Sequence, residues 1–572
     1  MADERRLAIC IKGGISLGAY EAGALTQTLA MIANHNTVQK KTNDGRMPFW
    51  YIDAFSGASA GAMTAFGTLL TLLDSKDSHL HEMWVTKAAL STLAPEHPGS
   101  DVDLSYTKGD TLLAASALDY LASDFSSCPA RVTNWHGAMR PSGDTIKLIF
   151  TLSDLDGEPQ PLDSLNGAPL GYREYADAMS WHVTIDGSGN VSVNAGDTCA
   201  VGLSTNTDSG SAWRAALQTA IAAGTFPLAF AQRGLYRKMP NAIGKYYTDG
   251  GMFDNDPVGK LINLVHDIDW SSDNPAYQDS QRRFLIVHTE PCDLSVPSHE
   301  PPYPTRDLAP LKFIGKLLPA FMNEQMQSGM RGITEVNRCL EQRKAILNRL
   351  ARVAMQQGTL SGQPSFETVL STLAEARKLT QKKFDKLRGF LIPDLRDLDS
   401  VLYDYVTKMP APAQSFFCQL ALLFDLSYDV ADKVPIKPIL IAPTGPLAGD
   451  PLYAFAGFFS RRLREFDFTR GTHDAFLAWK AISERPEHEF TIDGIEEPPP
   501  GDFAQATRDA VSVPSEYQDS ADQFKKRIKA VVSRIFDELG ESAQGHPLAK
   551  LYLYVLHGMA DLGVGSITNG SD

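Results

Sequence analysis

Twice before Lys76, a short apolar run closes on glycine and opens directly into a run of helix formers. "LAICIKGG" leads into "LGAYEAGALTQTLAMIAN", and "FWYIDAFSG" leads into "SAGAMTAFGTLLTLLDS". Short apolar runs bounded by glycine read as buried strands, and the segments after them have helical period and composition. Strand, helix, strand, helix in that order predicts an α/β chain with a central, mostly parallel sheet, because parallel neighbours need a crossover between them. In such sheets ligands settle at the carboxyl ends of strands, and both glycine-rich turns fall there.

The chain has 572 residues, 43% of them hydrophobic, enough for a large core and more than one domain. Residues 100 to 210 break into short pieces punctuated by Asp, Gly, Ser and Pro. "TIKLIFTLSDLDGEPQP" and "WHVTIDGSGNVSVN" within it read as strands, the second as a hairpin turning near "DGSGN". Strand patterns resume in "KYYTDGGMFDNDP" and "RRFLIVHTEP", and the Pro-rich "EPCDLSVPSHEPPYPT" marks a boundary. Beyond it the sequence is largely helical until "ILIAPTGP", a late strand suited to rejoining the sheet; the Pro-rich "EEPPPGD" then precedes a helical tail.

Composition excludes some partners. With 53 Lys+Arg against 68 Asp+Glu the net charge is −15, the wrong sign for a protein whose main partner is nucleic acid. The six cysteines are scattered without a C-x-x-C pair and read as reduced thiols. "LAICI" is too short for the apolar part of a signal peptide, and no run reaches spanning length, so the expected location is cytoplasmic, with at most peripheral membrane contact.

The chemistry concentrates at the turns. "GASAG" (57–61) satisfies G-x-S-x-G, with Ser59 between small residues at a sharp strand-to-helix turn, where the helix N-terminus offers the Ala60 N–H to an oxyanion. A serine nucleophile needs a base. His288, closing "FLIVH", suits the order of a Ser–acid–His triad; Asp249, opening "DGG" after a strand, suits a Ser–Asp dyad, and an isolated D-G-G is as readily a plain turn. "KGGISLG" (12–18) exposes backbone N–H groups of consecutive glycines at a strand end, a nest for a negative oxygen. It lacks the Lys-Ser/Thr of a phosphate loop, and nucleotide binding is not expected.

Taken in order, "KGGISLG", "GASAG" and "DGGMFDNDP", the last with Asn255 and Pro257, resemble the patatin-like phospholipase family, and the chain looks like one of its longer bacterial members. "AIAAGTFPLAF" and, more softly, "LAGDPLYAFAGFFSRRLREFDFTRG" are similar to further segments of that family. The likeness covers about residues 5 to 75 and 212 to 292.

It implies a three-layer patatin-like catalytic core over 1–310 with a variable insertion at 100–210. A helical insertion over 311–435 would follow, then a strand and helices rejoining the core over 436–495, and a helical tail over 496–572. It also implies Ser59 as nucleophile, Asp249 as its base without a triad histidine, and Gly13, Gly14 and the Ala60 amide as oxyanion hole. The implied activity is lipid acyl hydrolysis of phospholipase A type through an acyl-enzyme, with no metal or other cofactor and a phospholipid or other lipid ester as substrate. A lysophospholipase or general esterase is the neighbouring alternative, and a non-catalytic lipid- or protein-binding module the distant one. Ile15 stands where the family usually has a third glycine, and Leu17 where it has Arg or Lys.

Other features are read as structural. His79 and His81 in "HLHEMW", two apart on a helix, point away from each other and are not expected to share a metal. Arg331, Arg338, Arg343, Lys344, Arg349 and Arg352 surround Val336, Leu340, Leu347 and Leu350 in one basic amphipathic segment, and "EARKLTQKKFDKLRGF" is a second. Both fit ordinary solvated helices or helices lying on anionic headgroups.

Overall fold

The computed structural model describes residues 4–42, 47–93, 111–162 (without 112, 115 and 142), 170–196, 209–271 (without 228 and 238–242), 282–290, 328–357, 404, 407–408, 436–449, 454–485 and 489–499. By its internal contacts the chain divides into two units, Met1–Gly329 with Pro438–Asp572, and Met330–Lys437.

The first unit is α/β. Strand β1 (Glu4–Ile11) turns through Gly13 and Gly14 into helix α1 (Gly18–Thr42), and β2 (Phe49–Gly57) turns through Ser59 into α2 (Ala60–Asp74). β1 and β2 pair in parallel, and nearly every residue of both is buried, as expected of strands covered on both faces. β3 (Asp144–Leu162) adds to β2 in parallel, β8 (Arg282–Val287) adds to the other edge of β1 in parallel, and β9 (Ile439–Ile441) adds to β8 in parallel. The centre of the sheet is therefore parallel.

An antiparallel wing extends it. β4 (Leu170–Ile185) pairs with β3 along its length, β5 (Val191–Ala195) closes the hairpin with β4, and β6 (Arg233–Arg237) pairs with β7 (Ile243–Asp249). The expected variable insertion at 100–210 thus holds three strands of the central sheet, β3, β4 and β5. Its sequence reads as strands there, while the place of β3 beside β2 follows only from the pairing.

The core runs from Leu7, Ile9 and Ile11 of β1 through Phe55 of β2 to Phe66, Leu69 and Leu73 of α2. The helix Ser209–Ala223 closes on α2 through Trp213, whose ring meets Phe66 edge-on at 4.7 Å. The helix Arg461–Ser483 lies along α1, with Trp479 Nε1 donating to Thr28 Oγ1 at 3.2 Å and Tyr20 donating to Asp474 at 3.2 Å.

In the second unit the main described element is the helix Ser328–Gln357. Ile333, Cys339 and Leu340 are buried on it while Arg331, Arg338, Lys344 and Arg352 are exposed, an amphipathic arrangement. Asn337 fixes the returning chain by bonding both the N–H and the C=O of Ile436, at 2.9 and 2.8 Å. The second basic run, 375–390, and the tail beyond residue 499 lie outside the described residues. No helix among the described residues is long and apolar enough to cross a membrane.

Candidate active site

One strand registers the two halves of the site. β4 occupies one edge of β3, so both remaining partners share the opposite edge: β2 along Lys147–Phe150 and β7 along Leu152–Asp154. Gly57, the last residue of β2, sits opposite Phe150, and Asp249, the last residue of β7, sits opposite Leu152. Two strand ends therefore meet head to head, and the residues just past them come together.

Ser59 heads α2 with φ 51° and ψ −127°, a strained backbone for a serine that costs about 1–3 kcal/mol. Neighbouring bonds hold it there: Ala58 N–H donates to Ile11 C=O at 3.2 Å, and Gly61 N–H to Ala58 C=O at 2.8 Å. A Cβ on Gly61 would lie 2.4 Å from the Ile11 carbonyl oxygen, which explains the need for glycine in this turn.

Ser59 Oγ donates to Asp249 Oδ2 at 2.5 Å across 190 residues of sequence. The other oxygen, Oδ1, accepts Gly251 N–H at 2.7 Å, and Ser153 Oγ donates to the Asp249 main-chain carbonyl at 2.7 Å. The carboxyl is thus held at both ends. Burial pushes its pKa from 3.8 up to about 7 against the opposing pull of the Ser59 and Gly251 hydrogen bonds. A carboxylate of that basicity near neutral pH is far better matched to proton abstraction than a solvated aspartate.

The N–H groups of Gly13, Gly14 and Ala60 have no acceptor among the described residues. Gly13 lies against the serine, a Cβ on it falling 2.5 Å from Ser59 Cβ, and Ala60 is the first residue of α2. Ile15, where a third glycine was noted as missing, has φ 53°. The loop keeps a glycine-like backbone under a β-branched side chain.

Ser59 and Ala60 open into a pocket that is otherwise apolar, lined by Ile15, Met63, Trp84, Phe226, Phe230 and Phe458 among others. Phe458 arrives from a segment far downstream of Ser59 in the chain, pinned to the glycine-rich loop. Ser16 Oγ donates to the Ala454 carbonyl and accepts Gly457 N–H at 3.2 Å, while buried Arg464 donates to the Gly457 carbonyl at 2.7 Å. Leu17 is buried beside Gly449, where a Cβ on the glycine would lie 2.8 Å from Leu17 Cδ2. The pocket aromatics were not identified from sequence. Phe226, Phe230 and Phe458 stand in "AIAAGTFPLAF" and "DPLYAFAGFF", where a pocket wall and a core residue have the same apolar pattern.

His288 Nε2 lies 2.8 Å from Lys12 Nζ, and burial together with that cation pushes its pKa down to about 4. The Ser59 hydroxyl donates to Asp249, so His288 is not the group it contacts. His79 pairs with Asp74 at 2.6 Å and His81 with Glu465 at 3.2 Å, in separate directions. Cys10, Cys128 and Cys339 are free thiols, while Cys199, Cys292 and Cys418 lie outside the described residues. No family model matches this chain, and no curated protein matches it.

Proposed function

We propose that this protein is a serine hydrolase of carboxylic esters, a lipid acyl hydrolase of phospholipase A type working through a Ser59–Asp249 dyad. The observation that carries the reading is the 2.5 Å hydrogen bond from Ser59 to a buried carboxylate of raised pKa, at the mouth of an apolar pocket. Asp249 takes the Ser59 proton as Oγ attacks the ester carbonyl carbon, and the unpartnered N–H groups of Gly13, Gly14 and Ala60 take the charge arriving on the carbonyl oxygen. Collapse breaks the bond to the leaving alkoxide, which receives the proton from Asp249. Water then attacks the acyl-enzyme with Asp249 as base again, releasing the carboxylic acid and restoring Ser59.

The apolar lining supports an acyl chain as the group bound beside the serine, and the ordered likeness to patatin-like phospholipases supports a lipid as the molecule carrying it. Peripheral contact with a bilayer follows from such a substrate. The residues used are all of this chain, and none of the steps calls on a metal or other cofactor. The test is acyl release from mixed phospholipid vesicles in the presence of EDTA by wild type, Ser59→Ala and Asp249→Asn, each checked for folding. Release by wild type that both variants lose supports the reading. A fully active Asp249→Asn overturns the dyad.

A further inference from the structure

Asn255 lies past the DGG turn, is 3% exposed, and takes no part in the steps above. Its Nδ2 donates to the main-chain carbonyl of Gly13 at 3.3 Å, 242 residues away in sequence, and its Oδ1 is buried with no partner among the described residues. A buried amide held in place without full hydrogen bonding calls for attention to what it touches. A Cβ on Gly13 would lie 2.5 Å from Ser59 Cβ and 2.4 Å from Asn255 Oδ1, so Gly13 is wedged between the nucleophile and this amide.

In a planar trans peptide the C=O of one residue and the N–H of the next point in opposite directions. Fixing the Gly13 carbonyl on Asn255 therefore fixes the Gly14 N–H on the opposite side of the same peptide plane, and that N–H has no acceptor among the described residues. A glycine pair gives such a peptide little resistance to flipping. Resting on the ester-hydrolase reading above, we infer that Asn255 is a positioning residue that locks the Gly13–Gly14 peptide with its donor facing the developing oxyanion. It is not among the residues lining the pocket, and it acts through Gly13, so the same turn that supplies the base sets the oxyanion hole.

The experiment compares wild type, Ser59→Ala, Asn255→Ala and Asn255→Leu, the last keeping a branched side chain of similar outline without adding charge. Turnover of p-nitrophenyl hexanoate and inhibition by hexyl trifluoromethyl ketone, which forms a tetrahedral oxyanion on the serine, are measured beside thermal unfolding. Loss of one oxyanion donor costs about 10²–10³ in kcat, and a donor merely freed to wander should cost about 10–100-fold, with KM within about threefold of wild type. Affinity for the ketone should fall by about the same factor as kcat. Folded variants that keep wild-type kcat, or that lose kcat without losing ketone affinity, overturn the positioning role while leaving the hydrolase reading in place. A wild type without turnover, or a Ser59→Ala variant as active as wild type, overturns the hydrolase reading and the Asn255 role with it.

Discussion

Two buried carboxyls in this molecule look alike on paper. Asp249 and Glu21 are both fully enclosed, both pushed up by burial, to about 7 and about 8, and each meets a hydroxyl: Ser59 at 2.5 Å and Thr64 at 2.9 Å. The surroundings separate them. Ser59 sits on a strained turn and lines a pocket, whereas Thr64 lies one turn into α2, also bonding the Ala60 carbonyl at 3.0 Å and accepting Trp84 Nε1 at 2.9 Å. Glu21 Oε1 has no partner among the described residues, while Asp249 is gripped on both oxygens. A raised carboxyl beside a hydroxyl is therefore not enough for catalysis: the hydroxyl must face space for a substrate, and a place for the charge must already exist.

The largest effect should separate the two pairs outright. Ser59→Ala should lower ester turnover by about 10⁴-fold or more, and Asp249→Asn by about 10²–10⁴-fold, while Thr64→Ser and Glu21→Gln stay within about fivefold of wild type. Steady-state kinetics on folded proteins reads all four. Equal losses in both pairs would erase the distinction.

The pH dependence sharpens it. In the proposed mechanism Asp249 acts as a base only when ionised, so kcat/KM should rise with pH through about 7 and level off above it. Glu21→Gln should leave that profile in place. A rate independent of pH between 5.5 and 8.5, ~1.5 units either side of the expected midpoint, would count against Asp249 as base.

Stability gives a smaller effect of defined sign. Each carboxyl has a folded pKa above its unfolded value, so the folded state holds a proton that the unfolded chain has already released. Stability is then highest below the unfolded value and falls as pH rises, for Asp249 from 3.8 through about 7 and for Glu21 from 4.5 through about 8. Glu21→Gln removes its share of that loss. Its midpoint of thermal unfolding at pH 9 should exceed that of wild type by roughly 2 °C or more, with little difference at pH 5. A variant less stable than wild type at both values would show that Glu21 is ionised and paired in the fold.

The smallest effect concerns the pocket wall. Phe458→Ala should leave the dyad intact and shift preference toward bulkier acyl chains by about tenfold in relative kcat/KM. Chain-length profiles on p-nitrophenyl esters read it, and an unchanged profile would place the acyl group elsewhere.

The α/β class was legible in the stretch ending at Ser75, because strands buried on both faces and helices with glycine-rich turns between them leave a periodic trace. The turns holding Ser59 and Asp249 were legible for a related reason: a crowded backbone admits only small residues, and that restriction is written in the sequence. What no local pattern specified is that these turns meet. β3 brings them together by taking β2 and β7 end to end on one edge, and its own sequence between 144 and 162 reads as a strand without naming its partners. The raised pKa of Asp249, the Ser16 clamp on the segment carrying Phe458, and the hold of Asn255 on Gly13 depend likewise on burial and on contacts between residues remote from each other in the chain. Sequence alone determined which turns are built for close backbone approach, since that is a local steric demand. Tertiary structure decided which of them face each other and how dry the space between them is, since both follow from long-range strand register and packing.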